Sequence, residues 1–174
     1  MGKRPPSYPT SPIVSSSHLA SGGSPALSEV EFSLTLAATA FQRWMVRCAA
    51  AAGAQLSPLE ILIIHSVRHR DRPKRFLDIM LVLHIEDTHL ANYAVRKLVK
   101  AGLVTTRKEG KEKVVEVTKA GITFCDHYKE LREKLLVETI LASGIPESRM
   151  SEIAALLRQL SGDYTQAARA AATM

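Results

Sequence analysis

Between Asp87 and Thr118 the chain changes its hydrophobic period once, and abruptly. The stretch "DTHLANYAVRKLVKAG" places apolar residues three and four apart, the spacing of an amphipathic helix. Past Gly102, "LVTTR" and "KVVEVT" are short β-branched runs on either side of "KEGKE". A glycine suits the end of a helix because the residue beyond it often turns left-handed, where a Cβ is penalised. A second glycine, Gly110, falls where two strands must reverse, so residues 103–117 are expected to form a hairpin. Few folds accept a helix that feeds straight into a two-stranded ribbon.

The flanking segments read as helices. In "LSPLEI" Ser57 is placed to cap, Pro58 fits the first helical position, Glu60 completes a capping box, and Leu56 with Ile61 forms a hydrophobic staple. The helix that follows, 58–68, is apolar on nearly every side and is expected at the centre of the domain. "LSEVEF" gives a similar signal, with Ser28, Glu31, Leu27 and Phe32 in the same roles, so a long helix is expected from about Ser28 to Gly53. Its stripe is Leu34, Phe41 and Met45 with Ala37, Ala38 and Ala49. A short helix over 76–84 follows the break at Pro73, and Asp87 or Thr88 caps the helix that runs to Ala101. Thr118 caps another over 119–142, with Ile122, Cys125, Tyr128, Leu131, Leu135 and Ile140 on one side. A last helix, about 149–170, carries Ile153, Leu156, Leu157 and Leu160. Residues 1–26 hold five prolines and seven serines without periodicity and are expected to be a disordered tail, its basic start being Lys3 and Arg4.

The net charge of +6 is localised. From Arg68 to Lys113 there are twelve Lys or Arg against six acids, while the rest of the chain carries eleven of each. One contiguous region thus holds the whole excess, as expected of a surface that meets a polyanion.

A short helix, a turn, a second helix ended by glycine and then a hairpin is the order of a winged helix-turn-helix, whose second helix enters the major groove of DNA. On that helix Leu90, Ala91, Ala94, Val95, Leu98 and Val99 form the face to be buried. His89, Asn92, Tyr93 and Arg96 form the polar face, joined by Thr88, Lys97 and Lys100. Asn and Arg side chains pair with adenine and guanine edges, whereas Lys and Tyr reach phosphate or sugar. Arg75 and, on the hairpin, Arg107, Lys108, Lys111 and Lys113 are the expected backbone contacts. Glu86 and Asp87 open the segment with negative charge because a helix N-terminus carries unpaired N–H groups and a partial positive charge.

"VRKLVKAGLVTTR", the hairpin after it and "VTKAG" resemble the MarR family of winged-helix regulators over most of residues 28–170. The resemblance implies a mainly α fold with a small β-hairpin wing. It divides 27–174 into an N-terminal dimerisation helix (27–55), a winged helix DNA-binding region (56–118) and C-terminal dimerisation helices (119–171). It further implies a homodimer that reads a near-palindromic site on double-stranded DNA, and a small-molecule effector whose identity no residue selects. Where the family wing carries Asp-x-Arg, this chain has "EGK", residues 109–111, so the wing is expected to touch phosphate rather than read bases.

Other classes find less support. There is no glycine-rich phosphate loop, no G-x-S-x-G elbow and no His-Glu-x-x-His, and no enzyme activity is expected. His65 and His69 stand four apart on one helix, yet only Asp71 lies nearby as a third ligand, so no metal is expected, and no cofactor. Cys48 and Cys125 are expected to be reduced helix thiols, with redox sensing left open. No run of 18 apolar residues and no apolar leader is present, and a cytoplasmic protein is expected. The rival reading is a winged-helix module for protein–protein contacts without DNA binding.

Overall fold

The computed structural model describes residues 13–174, and the part of the expected tail in residues 1–12, with Lys3 and Arg4, lies outside the described residues. The chain is mainly helical with one small antiparallel sheet. Its helices are α1 (Ser17–Ala20), α2 (Pro25–Ala51), α3 (Pro58–Arg68), α4 (Phe76–Val82), α5 (Thr88–Lys100), α6 (Lys119–Arg132), α7 (Glu138–Ala142) and α8 (Glu147–Ala171). The strands are β1 (Lys74–Arg75), β2 (Val104–Glu109) and β3 (Glu112–Val117), in the order β1-β3-β2. The described chain falls into two compact units, one running to Tyr128 and one from Lys129.

In the first unit α3 is central: Ile61, Ile63, Ile64 and Val67 are fully buried. The capping box forms as its spacing dictates, with Ser57 Oγ accepting from the Glu60 N–H and Glu60 Oε2 accepting from the Ser57 N–H at 3.0 Å. Also buried in this unit are Phe76, Ile79 and Met80 of α4, Ala91, Val95 and Leu98 of α5, Val104, Val114 and Val115 of the sheet, and Phe124 and Tyr128 of α6.

The start of α2 differs from expectation. Its cap is Ser24, whose Oγ accepts from the Leu27 N–H, and Pro25 stands in the first turn. Ser28 is instead buried and donates to the Leu19 carbonyl at 2.8 Å. Residues 17–20 and 25–26, within the span expected as tail, are helical. The apolar stripe of α2 also divides: Met45 and Ala49 are buried, while Leu34, Ala37, Ala38 and Phe41 are exposed.

Helix α4 stops at Val82, and His84 takes a left-handed φ of 51° in the turn to α5. Strand β1 has no counterpart in the sequence pattern; it is two residues long and exists through pairing with β3, Lys74 against Val115 and Arg75 against Val114. The β2–β3 hairpin closes with Glu109 opposite Glu112, so Gly110 and Lys111 alone form the turn, and the φ of 60° at Gly110 is the conformation a two-residue hairpin needs. Thr118 Oγ1 accepts from the Gly121 N–H at 3.0 Å and donates to the Gly102 carbonyl at 2.6 Å, joining the start of α6 to the end of α5.

In the second unit a five-residue π-helical segment, Glu133–Val137, lies between α6 and α7, where the sequence pattern predicts an uninterrupted α-helix. Helix α8 has no buried residue, and Ile153, Leu156 and Leu157 are exposed along it.

Candidate nucleic-acid interface

Helix α5 is started by Asp87, whose Oδ1 accepts from the N–H groups of His89 at 2.7 Å and Leu90 at 3.0 Å. The bonds from Leu90 and His89 hold the Asp87 carboxyl below the usual carboxylate range. Ala91, Ala94, Val95 and Leu98 are buried as expected, but Leu90 and Val99 are exposed. The buried stripe is therefore narrower than the sequence pattern and lined partly by alanine, which brings α5 close to its support.

The polar face presents Thr88, His89, Tyr93, Arg96 and Lys97 to solvent. Asn92 is half-buried and engaged at both ends of its amide: Nδ2 donates to the Thr88 carbonyl at 3.0 Å, and Oδ1 accepts from Lys113 Nζ at 2.9 Å. Lys113 thus turns inward from β3, with its ammonium 4.8 Å from the centre of the Phe76 ring. Burial, together with the charge of Arg96, pushes the Lys113 ammonium below the usual lysine range.

Other cations of the region are also paired. Lys97 Nζ lies 3.3 Å from Glu60 Oε1, and 5.5 Å from the centre of the Tyr93 ring. Arg75 pairs with Glu112 at 3.0 Å, and Arg107 with Glu109 and Glu116. Among the described residues Arg96, Lys100, Lys108 and Lys111 have no ion-pair partner. Within α5 and the hairpin the charge open to an incoming polyanion is thus one arginine and one lysine of the helix and two lysines of the ribbon, beside Arg70 and Arg72, which are exposed and in no ion pair among the described residues; these are fewer positions than the sequence count implies. Sequence reasoning missed the part played by Glu60, read only as a capping residue; no local pattern relates it to Lys97.

The hairpin has unlike faces. Successive strand residues point to opposite sides, so the register places Lys108 and Lys113 on the face of Val104 and Val115, and Glu109, Glu112, Glu116 and Arg107 on the other.

The two histidines stand in unlike surroundings. The His65 ring stands edge-on to Tyr128, with centroids 4.7 Å apart, and its Nε2 is buried without a hydrogen-bond partner among the described residues. His69 lies past the end of α3, exposed. No cluster of three or more His, Cys, Asp or Glu suited to a metal occurs among the described residues. Burial lowers the His65 pKa and raises the thiols, Cys125 to about 11. Such thiols stay protonated and unreactive at neutral pH.

The family model of the winged helix DNA-binding domain matches residues 56–121. Solved structures share the fold over a wider span. A MarR transcriptional regulator from Methanosarcina mazei Go1 is 16% identical and superposes with a TM-score of 0.63, covering 79% of this chain and 90% of its own. A MarR-family regulator from Rhodococcus sp. RHA1 is 13% identical, with a TM-score of 0.64 and coverage of 78% and 94%. The chain has the MarR winged-helix fold. A third MarR-fold structure, a mutant MarR from E. coli complexed with operator DNA, is 14% identical with a TM-score of 0.61 and covers 73% of this chain and 89% of its own. No curated protein matches the chain in sequence. No helix among the described residues is long and apolar enough to cross a membrane.

Proposed function

We propose that the chain is a homodimeric DNA-binding transcriptional regulator that reads a near-palindromic site, with α5 in the major groove and the β2–β3 hairpin along the adjacent backbone. The observation that carries this reading is the exposed face of α5, on which His89, Tyr93 and the unpaired Arg96 stand beside one another above a buried stripe. A winged-helix domain presents that helix to base edges, and an arginine there pairs bidentately with guanine. Lys100, Lys108 and Lys111 supply sequence-independent attraction to phosphate. The operator-bound MarR-fold structure supports the same use of the fold.

A second copy is the partner that the helices outside the winged domain require. Leu34, Leu36 and Phe41 of α2 are exposed, as are Leu135, Leu141, Ile153, Leu156 and Leu157 of the second unit. Long amphipathic helices are covered in stable proteins, and contiguous exposed apolar surface marks an interface. Two-fold symmetry would set two half-sites about one helical turn apart. A cytoplasmic location goes with this role.

The protein-docking alternative has one observation in its favour: Leu77, Leu81 and Val82 of α4 are exposed. The basic face of α5 favours DNA over it. Selection of bound duplexes from a random pool tests the reading. A palindromic motif, and a dimer in sedimentation, are the expected results; enrichment of no motif, with a flat salt dependence on heparin, would defeat it.

A further inference from the structure

We propose that Glu60 is a positioning residue for DNA reading, which sets the roll of α5 on α3 through the Lys97 ammonium; the inference rests on the DNA-binding reading above. The Glu60 side chain is 3% exposed and that of Lys97 is 49%. The two Glu60 oxygens have separate tasks. Oε2 accepts the Ser57 N–H at the start of α3, which fixes the carboxylate to that helix, and Oε1 faces Lys97 Nζ at 3.3 Å on α5.

The packing of α5 makes such a contact necessary. Its buried face is Ala91, Ala94, Val95 and Leu98, and apolar contact is non-directional. Two alanines oppose little to a rotation about the helix axis. Successive residues of a helix differ by about 100° in azimuth, so an ion pair at Lys97 also fixes where Arg96 points. The Lys113 bond to Asn92 restrains α5 from the sheet side. A buried carboxylate that loses its counter-charge is strongly destabilised, so Lys97 stays with Glu60 instead of moving to a phosphate.

The test compares Glu60→Gln, Lys97→Met and the double variant in the full chain. Gln retains an oxygen for the Ser57 N–H, and the double variant carries neither charge, so folding is maintained in at least one protein. The readouts are the affinity ratio of the selected site over random duplex, and the slope of log affinity against log salt on random duplex. Glu60→Gln should lower the ratio roughly tenfold or more with the slope unchanged, the scale on which small misplacements of a reading group act. Lys97→Met should do the same, and the double variant should be no worse than either. A slope reduced by about 0.9 in Lys97→Met, with the ratio intact in Glu60→Gln, would make Lys97 a phosphate contact and overturn the inference alone. If the wild-type chain selects no motif, the inference falls together with the DNA-binding reading.

Discussion

Lys113 Nζ donates to Asn92 Oδ1 at 2.9 Å, tying the hairpin to the middle of α5. Both residues have the chemistry of DNA contacts, and each occupies part of the other's hydrogen-bonding capacity. The wing and the recognition helix are thereby linked at a defined point, independent of any nucleic acid.

That link should appear as non-additivity. Asn92→Ala and Lys113→Met should each destabilise the protein, and the double variant should lose less than both together, with a coupling of about 0.5–3 kcal/mol in denaturant titrations. Additive losses would show that the bond contributes nothing to the fold.

Arg96 is the exposed α5 arginine without an ion-pair partner among the described residues. Arg96→Ala should cost about 1–3 kcal/mol on the selected site and relax base preference at one position, with a smaller effect on random duplex. Equal gel-shift affinities for variant and wild type would remove it from the interface.

His65 should make stability pH-dependent. Burial holds its pKa below 6.5, so the unfolded chain binds the proton more readily than the folded one. Its contribution is full above about pH 6.5 and is lost as the pH falls from there through the folded-state value. The urea midpoint of the wild type should fall more between about pH 7.5 and 5.5 than that of His65→Phe; parallel falls would place the acid sensitivity elsewhere.

Gly121 permits a backbone approach that no side chain allows. A Cβ there would lie 2.1 Å from the Leu103 carbonyl oxygen and 2.8 Å from Val117 Cγ2. Gly121→Ala should destabilise by about 1–3 kcal/mol or more, since the carbonyl belongs to the backbone and yields little. An unchanged unfolding midpoint would contradict this packing.

Both cysteines should resist modification. Cys48 and Cys125 are buried and their thiols shifted upward, so a disulfide reagent should label neither quickly in the native protein and both after denaturation. Rapid native labelling of either would reopen a redox role.

What the sequence disclosed was what short-range rules control. The capping box at Ser57 and Glu60, the Asp87 cap and the glycines at 102 and 110 act over a few residues, and α3, α5 and the hairpin lie where those signals put them. Ser24 and Ser28 offer competing starts for α2, and the Ser24–Pro25 pair, which repeats the Ser57–Pro58 pattern, is the better signal. Strand β1 is illegible because two residues carry no period, and it forms on a partner distant along the chain, Lys74 against Val115. Charge pairing is hidden for the same reason. Glu60 and Lys97, or Arg75 and Glu112, meet only through the tertiary fold, so a count of lysines and arginines overstates the open charge.

The two-residue turn at Gly110 and Lys111 has a further consequence for the hairpin. One face carries the exposed Lys108, with Lys113 turned inward to Asn92; the other carries three carboxylates, Glu109, Glu112 and Glu116, against the guanidiniums of Arg75 and Arg107. Because strand faces alternate residue by residue, a one-residue slip of β2 against β3 would carry Lys108 to the side of Glu112 and Glu116 and bring Arg107 and Glu109 to the side of Lys113. The length of the turn therefore sets the electrical polarity of the ribbon: which flank attracts a phosphate chain and which repels it.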